Sequence, residues 1–232
     1  MVLVLSNNAI VITKTENQRP KTNEVAALVL AAGRSQRMGA FKPLLPFGPK
    51  TVIETCIDNL RGGGIETIVV VLGNGPQANE LKVYLQNSGV IVAINPDSQS
   101  EMSASIACGI QQLPGATKAV MINPVDHAAV PAEVIAALIS EWKQGARLVK
   151  PTCNGRGGHP VVVDLAFRDE LLSLDSNGGL RAFFGIHEDQ VKRLPIHSNL
   201  IARDMDTWDD YAALHEEIFG VPPPARTPPK GR

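Results

Sequence analysis

Arg37 and Lys42 stand close behind Gly33, directly after the apolar run Val25–Leu30. A short continuous apolar run of this kind suits a central strand covered on both faces. Ala31, Ala32 and Gly33 are small enough for a ligand to lie against the backbone, and Gly33 and Gly39 permit turns that bulkier residues resist. Pro43 and Pro46 discourage a helix straight after the loop. A loop with free N–H groups and two cations is a natural cradle for a polyphosphate. Ala31, Ala32, Gly33, Arg37 and Lys42, with Leu30 just before them, are therefore candidates to hold a polyphosphate.

Two acids further along suit a hard metal. Asp126 follows the apolar run AVMI in NPVDH, and a carboxylate at the C-terminal edge of a strand is a good ligand for Mg²⁺. Asp206 lies in DMDTWDDY, with Asp204 in reserve within reach of one turn. His159, in GRGGHP, can donate to a phosphate, and the glycines before it let backbone approach an anionic group.

Neither G-x-G-x-x-G nor G-x-x-x-x-G-K-[ST] is present. The string LAAGRSQRMGAFK instead resembles L-A-[AG]-G-x-[SG]-x-R-[ML]-G-x-x-K of the MobA-like nucleotidyltransferases. With KPLLPF behind it, it is most similar to the molybdenum cofactor cytidylyltransferase branch. The resemblance continues through Asp126-His127-Ala128, where the family has D-Q-P or D-H-P, and through DTWDDY, where Trp208 replaces the proline of D-T-P-E-D-Y. Gly157–Pro160 resembles the G-x-x-G-H-P loop beside the acceptor. Ser103, Ser105 and Gly109 in EMSASIACGI resemble G-M-S-x-S-[IL]-x-x-G beside the nucleotide, with Glu101 in place of the glycine. Asn177–Arg181 resembles a glycine-bearing turn near the acceptor.

The resemblance implies a three-layer α/β/α fold with a mostly parallel, doubly wound sheet, like that of nucleotide-diphospho-sugar transferases. It implies a nucleoside triphosphate, CTP ahead of GTP, and a phosphorylated molybdopterin acceptor whose phosphate oxygen attacks the α-phosphorus. Mg²⁺ on Asp126 and Asp206 is implied, with Lys42 facing the α-phosphate and Arg37 the departing pyrophosphate. Ser103, Ser105 and Gly109 would lie at the nucleotide, and Gly158 and His159 at the acceptor. A molybdoenzyme or its chaperone would receive the product. The alternatives are a sugar or polyol phosphate as acceptor, and a catalytically inactive nucleotide-binding regulator, which the departures at Glu101, Ala128 and Trp208 would suit.

The bulk composition fits a small anionic substrate. A net charge of −1 and an aromatic content of 4% give no electrostatic footprint or stacking platform for nucleic acid. Cys56, Cys108 and Cys153 form no C-x-x-C pair and no zinc spacing, so reduced thiols in a cytoplasmic protein are expected. His187, His197 and His215 have no metal spacing and are expected at the surface. MVLVL and AIVI fall well short of the roughly 20 apolar residues a membrane span needs, and no signal pattern surrounds them.

Residues 1–24 are expected to be a disordered extension, with an added strand as the alternative, before one nucleotidyltransferase domain over 25–219 and a loose tail over 220–232. Strands are predicted at Val25–Leu30, Glu66–Leu72, Val90–Ile94, Ala119–Ile122, Arg147–Pro151, Pro160–Val163 and Val191–Leu194. Helices are predicted at Thr51–Leu60, Gln77–Gln86, Ser103–Leu113, Pro131–Trp142, Leu165–Leu172, Gly179–Phe184 and Thr207–Phe219, with Asp206 as N-cap or loop acid of the last. Such alternation argues for a parallel sheet, and ligands bind outside the carboxyl ends of its strands. Gly33–Lys42, Asn95–Ser105 and Asn123–His127 fall at such ends. The reading requires the two late acids to meet the early cationic turn across one pocket.

Overall fold

The structure, a computed structural model, describes residues 4–6, 9–11, 23–33, 37–97, 102–174 and 178–225. In chain order the elements are β1 (Val4–Ser6), β2 (Ala9–Val11), β3 (Val25–Ala31), β4 (Pro46–Phe47), β5 (Lys50–Thr51) and α1 (Val52–Gly62). Then come β6 (Ile68–Leu72), α2 (Pro76–Tyr84), β7 (Ile91–Ile94), α3 (Met102–Ile110), β8 (Ala119–Pro124) and α4 (Ala132–Lys143). The remainder is β9 (Leu148–Cys153), β10 (Arg156–Gly157), β11 (Val161–Asp164), α5 (Arg168–Leu172), α6 (Gly179–Ile186), β12 (Val191–Pro195) and α7 (Trp208–Phe219).

An eight-stranded sheet runs β10-β9-β11-β8-β3-β6-β7, with β12 also paired to β9. The neighbours β8, β3, β6 and β7 are parallel. β11 runs antiparallel to both β8 and β9, opposing Val161 to Ile122 and Val163 to Leu148. This reversed strand is what brings a late loop to the rim where β8 ends.

Side chains alternate across the sheet, so β3 supplies both cores. Ala27 and Val29 pack with Ile53, Leu60, Val134, Leu138, Tyr211 and Leu214 from α1, α4 and α7. Leu28 and Leu30 pack with Ile106, Ile110, Leu171, Leu180 and Phe183 from α3, α5 and α6. The result is the expected three-layer α/β/α fold with a mostly parallel sheet.

Local chemistry sets several boundaries. Thr51 opens α1 with a capping box: its hydroxyl accepts from the Glu54 N–H, and Glu54 accepts from the Thr51 N–H. The predicted helix Leu165–Leu172 divides into a 3-10 turn and α5, because Asp164 caps the first turn by accepting from the Ala166 N–H. Within the N-terminal segment β1 and β2 form an antiparallel pair.

Of the histidines expected at the surface, His215 is buried and His187 is half-buried. His215 shares a face of α7 with Tyr211 and is 3% exposed. Its Nε2 accepts from the Gly48 N–H at 3.1 Å, and its Nδ1 lies 2.8 Å from the Val221 carbonyl. His187 lies among Phe167 and Phe183, with ring centroids 4.8 and 4.9 Å away. Aromatic neighbours of similar shape make room for both rings. The three cysteines are unpaired, and among the described residues no helix is long and apolar enough to cross a membrane.

Candidate functional site

β3 ends at Ala31, and the chain leaves the sheet through Ala32 and Gly33. A Cβ built on Gly33 would meet nothing within 4 Å, so this backbone faces open space. Leu30 and Ala31 are themselves buried, at 8% and 4% exposure, and serve as the floor beneath it. Residues 34–36 lie outside the described set. Arg37 emerges exposed, while Lys42 begins a 3-10 turn and is 7% exposed.

Lys42 is buried because two acids meet it. Its Nζ lies 3.0 Å from Oδ2 of Asp126 and 3.6 Å from Oδ1 of Asp206. Asp206 in turn holds Arg37 through Oδ2, 2.9 Å from Nη1. Asp126 is delivered by the 3-10 turn Val125–His127 at the end of β8, and Asp206 by the loop before α7. Both late acids thus reach the early cations.

Asp206 does not cap α7. Thr207 does, in a capping box with Asp210: the Thr207 hydroxyl accepts from the Asp210 N–H at 3.2 Å, and Asp210 accepts from the Thr207 N–H at 2.9 Å. The Asp206 carboxylate is thereby left to the cluster. Asp204 is exposed, and its charge is felt at His127.

Beside Asp126, the ring centroids of His127 and His159 lie 5.0 Å apart, with the planes tilted by 46°. Burial pushes both imidazoles down from the ordinary value, His159 to about 4. The neighbouring His127 lowers His159 further, while Asp126 opposes the shift at both rings. Nδ1 of each ring is buried without a hydrogen-bond partner. The antiparallel β11 explains the meeting, since its preceding residues arrive at the rim occupied by Asn123–His127.

Four residues expected at ligands already make internal contacts. The Gly158 N–H donates to the Pro151 carbonyl at 3.0 Å and the His159 N–H to the Ile201 carbonyl at 2.8 Å, so this loop offers no free N–H at either residue. Gly158 is required for close approach: a Cβ there would stand 2.1 Å from the Ile201 carbonyl oxygen. Ser105 is buried and accepts from Nδ2 of Asn95 at 3.0 Å, tying α3 to the exit of β7. Gly109 packs α3 onto the sheet, where a Cβ would come 2.9 Å from both Leu28 and Val71. Ser103 does line a cleft of about 440 Å³, together with Gly158 and His159. Gly178, Gly179 and Arg181 of the NGGLR turn line it too, while Asn177 lies outside the described set.

The same cleft contains Lys150, a residue the sequence reading passed over. The available signal was a cation inside the otherwise apolar strand LVKP. Asn123 was also missed: its Nδ2 donates to the thiol of Cys56 at 3.0 Å, and burial pushes that thiol up to about 12. Cys56 is thus an inert packing group. Among the described residues no group of three or more His, Cys, Asp or Glu side chains is arranged to hold a metal. The Asp126–Asp206 pair nonetheless fits Mg²⁺, which takes one or two carboxylates and keeps several waters. Both acids already converge on one cation, the Lys42 ammonium.

Nicotine blue oxidoreductase of Paenarthrobacter nicotinovorans is 26% identical over 82% of this chain and 96% of its own. Molybdenum cofactor cytidylyltransferase of Escherichia coli (strain K12) is also 26% identical, over 85% of this chain and 98% of its own. The crystal structure of Rv0371c from Mycobacterium tuberculosis H37Rv superposes with a TM-score of 0.73 at 25% identity, covering 83% of this chain and 98% of that one. A manganese complex of that protein superposes at 0.69 and 22% identity, with the same coverage. The profile described as "MobA-like NTP transferase domain" matches residues 27–191, from inside β3 to the start of β12. The chain belongs to the MobA-like NTP transferase family, and is a nucleotidyltransferase of that family.

Proposed function

We propose that this nucleotidyltransferase transfers CMP from CTP to a phosphorylated molybdopterin, with Mg²⁺, and releases pyrophosphate. The observation that carries the reading is the buried Lys42 held between Asp126 and Asp206, with Arg37 on the outer face of Asp206. Asp126 and Asp206 would hold Mg²⁺, which would supply positive charge against the phosphates. Lys42 is placed to take the α-phosphate and Arg37 the leaving pyrophosphate. A phosphate oxygen of the acceptor attacks the α-phosphorus and the bond to pyrophosphate breaks. That nucleophile is already an anion, so no general base is needed. The protein's part is positioning and charge stabilisation.

The choice of CTP and molybdopterin is supported by the E. coli relative and by the LAAG and GGHP strings. The manganese complex of the mycobacterial relative supports a divalent metal. Three unpaired cysteines suit a reducing compartment, and we place the protein in the cytoplasm. A second reading is favoured by the equal identity to the Paenarthrobacter oxidoreductase: the fold keeps a nucleotide site and performs redox chemistry instead.

The experiment is incubation with each nucleoside triphosphate, Mg²⁺ and purified phosphorylated molybdopterin, read by pyrophosphate release and mass spectrometry. A CMP adduct is expected. A GTP preference rejects the base choice, and product only with sugar or polyol phosphates rejects the acceptor. Tight triphosphate binding without pyrophosphate from any acceptor rejects transfer and favours the redox or regulatory alternatives.

A further inference from the structure

The cleft beside His159 divides by chemistry. Val161, Leu180 and Phe184 form an apolar side, while Ser103, Lys150 and Arg181 are polar. Lys150 rises from β9 half-buried, and its ammonium lies 5.7 Å from the centre of the Phe184 ring. Its stem crosses Gly157, where a Cβ would stand 2.3 Å from Lys150 Cε. A side chain at position 157 would displace the lysine.

No carboxylate is paired with this ammonium among the described residues. Glu188 is close enough to act on it, but Glu188 is bound to Arg193. Burial first, then the Arg193 and Arg181 guanidinium groups, hold the Lys150 amine below the ordinary lysine value. A partly desolvated cation without a paired carboxylate is costly unless an anion joins it. Among the described residues lining the cleft, Lys150 and Arg181 carry the positive charge that such an anion needs. The Gly158 and His159 N–H groups are already donated to carbonyls, and His159 is neutral at pH 7.

We propose that Lys150 determines acceptor specificity, binding with Arg181 an anionic group of the acceptor while Phe184 and Leu180 receive its flat apolar part. The acceptor class is then an anionic ring compound, not an open sugar chain. This assignment rests on the transfer reading above for its use of the word acceptor. The binding of an anionic ring in the cleft stands on the geometry.

Two measurements test it. Lys150→Met and Lys150→Arg proteins, with folding checked by circular dichroism, are assayed with CTP and phosphorylated molybdopterin. Lys150→Met should raise the acceptor KM roughly 10- to 100-fold, the loss of one charge-assisted hydrogen bond. The CTP affinity by calorimetry should not move, and Lys150→Arg should recover most of the loss. Separately, the wild-type protein is treated with pyridoxal 5′-phosphate, a flat phosphorylated ring that condenses with neutral amines, then with borohydride, and its peptides are mapped. Lys150 should be labelled ahead of the exposed Lys50 and Lys118. An unchanged acceptor KM in Lys150→Met, or label spread over the surface lysines, overturns the assignment. A wild-type protein that releases no pyrophosphate sinks the transfer reading instead, and the labelling then decides on the cleft alone.

Discussion

Lys42 Nζ lies 3.0 Å from Asp126 Oδ2, in a site where each charge already has a partner that a substrate must replace. The ammonium holds together the two carboxylates proposed for the metal, so it competes with a divalent ion for them until a phosphate draws it away. Lys42→Met should therefore bind Mn²⁺ alone more tightly than wild type, by electron paramagnetic resonance. Its turnover should fall about 10²–10³-fold, as for loss of a preorganised donor. Undiminished turnover would remove Lys42 from the chemistry.

Asp206 and its neighbour Thr207 separate function from folding. Asp206→Asn should weaken Mn²⁺ binding and lower turnover while leaving the melting temperature close to wild type, because Thr207 closes the helix. Thr207→Ala should do the reverse, costing about 1 kcal/mol of stability through the lost cap. A large drop in melting temperature for Asp206→Asn would show a structural role instead.

Gly109→Ala places a methyl group against Leu28 and Val71. Overpacking of this kind costs about 1–3 kcal/mol. Urea unfolding should show the loss, while nucleotide affinity below the transition should stay at the wild-type value. A selective loss of nucleotide affinity would return Gly109 to the binding site.

Stability should depend on pH through His159. Its folded value of about 4 lies below the 6.5 of an unperturbed imidazole, so below pH 6.5 the unfolded chain gains a proton that the folded chain refuses. No stability is lost through this group above that value. The loss grows between pH 6.5 and 4 and reaches about 2 kcal/mol at pH 5. His127, also depressed, acts in the same direction. Denaturant titrations across this window should show the slope, and His159→Phe should flatten it.

The parts of the site legible in the sequence are those whose meaning is local. Gly33, Lys42 and Asp126 fall where apolar runs end, and strand ends are where such sheets bind ligands. The Thr207 cap was legible too, since Thr207-x-x-Asp210 is a capping-box spacing, yet the adjacent acid drew the assignment. Tyr211, His215 and Phe219 recur at one-turn spacing, which marks a buried face. Ser105 and Gly109 were beyond reach for a different reason. Their roles depend on Asn95, Leu28 and Val71, residues distant along the chain that only the packed fold sets opposite them. Lys150 needed the same information, because a lone cation in a strand acquires meaning from the absence of an acid across from it.

The reversal of β11 gives the candidate site two footings, one on parallel strands and one on antiparallel strands. Residues 154–160 form an arm footed on β9 and β11, whereas Lys42 and Asp126 hang from the parallel strands β3 and β8. Replacing the arm would leave the β8–β3–β6 register untouched. On the proposed reading, a different acceptor would call for changes in one short cassette, with the Lys42–Asp126 pair left as it is.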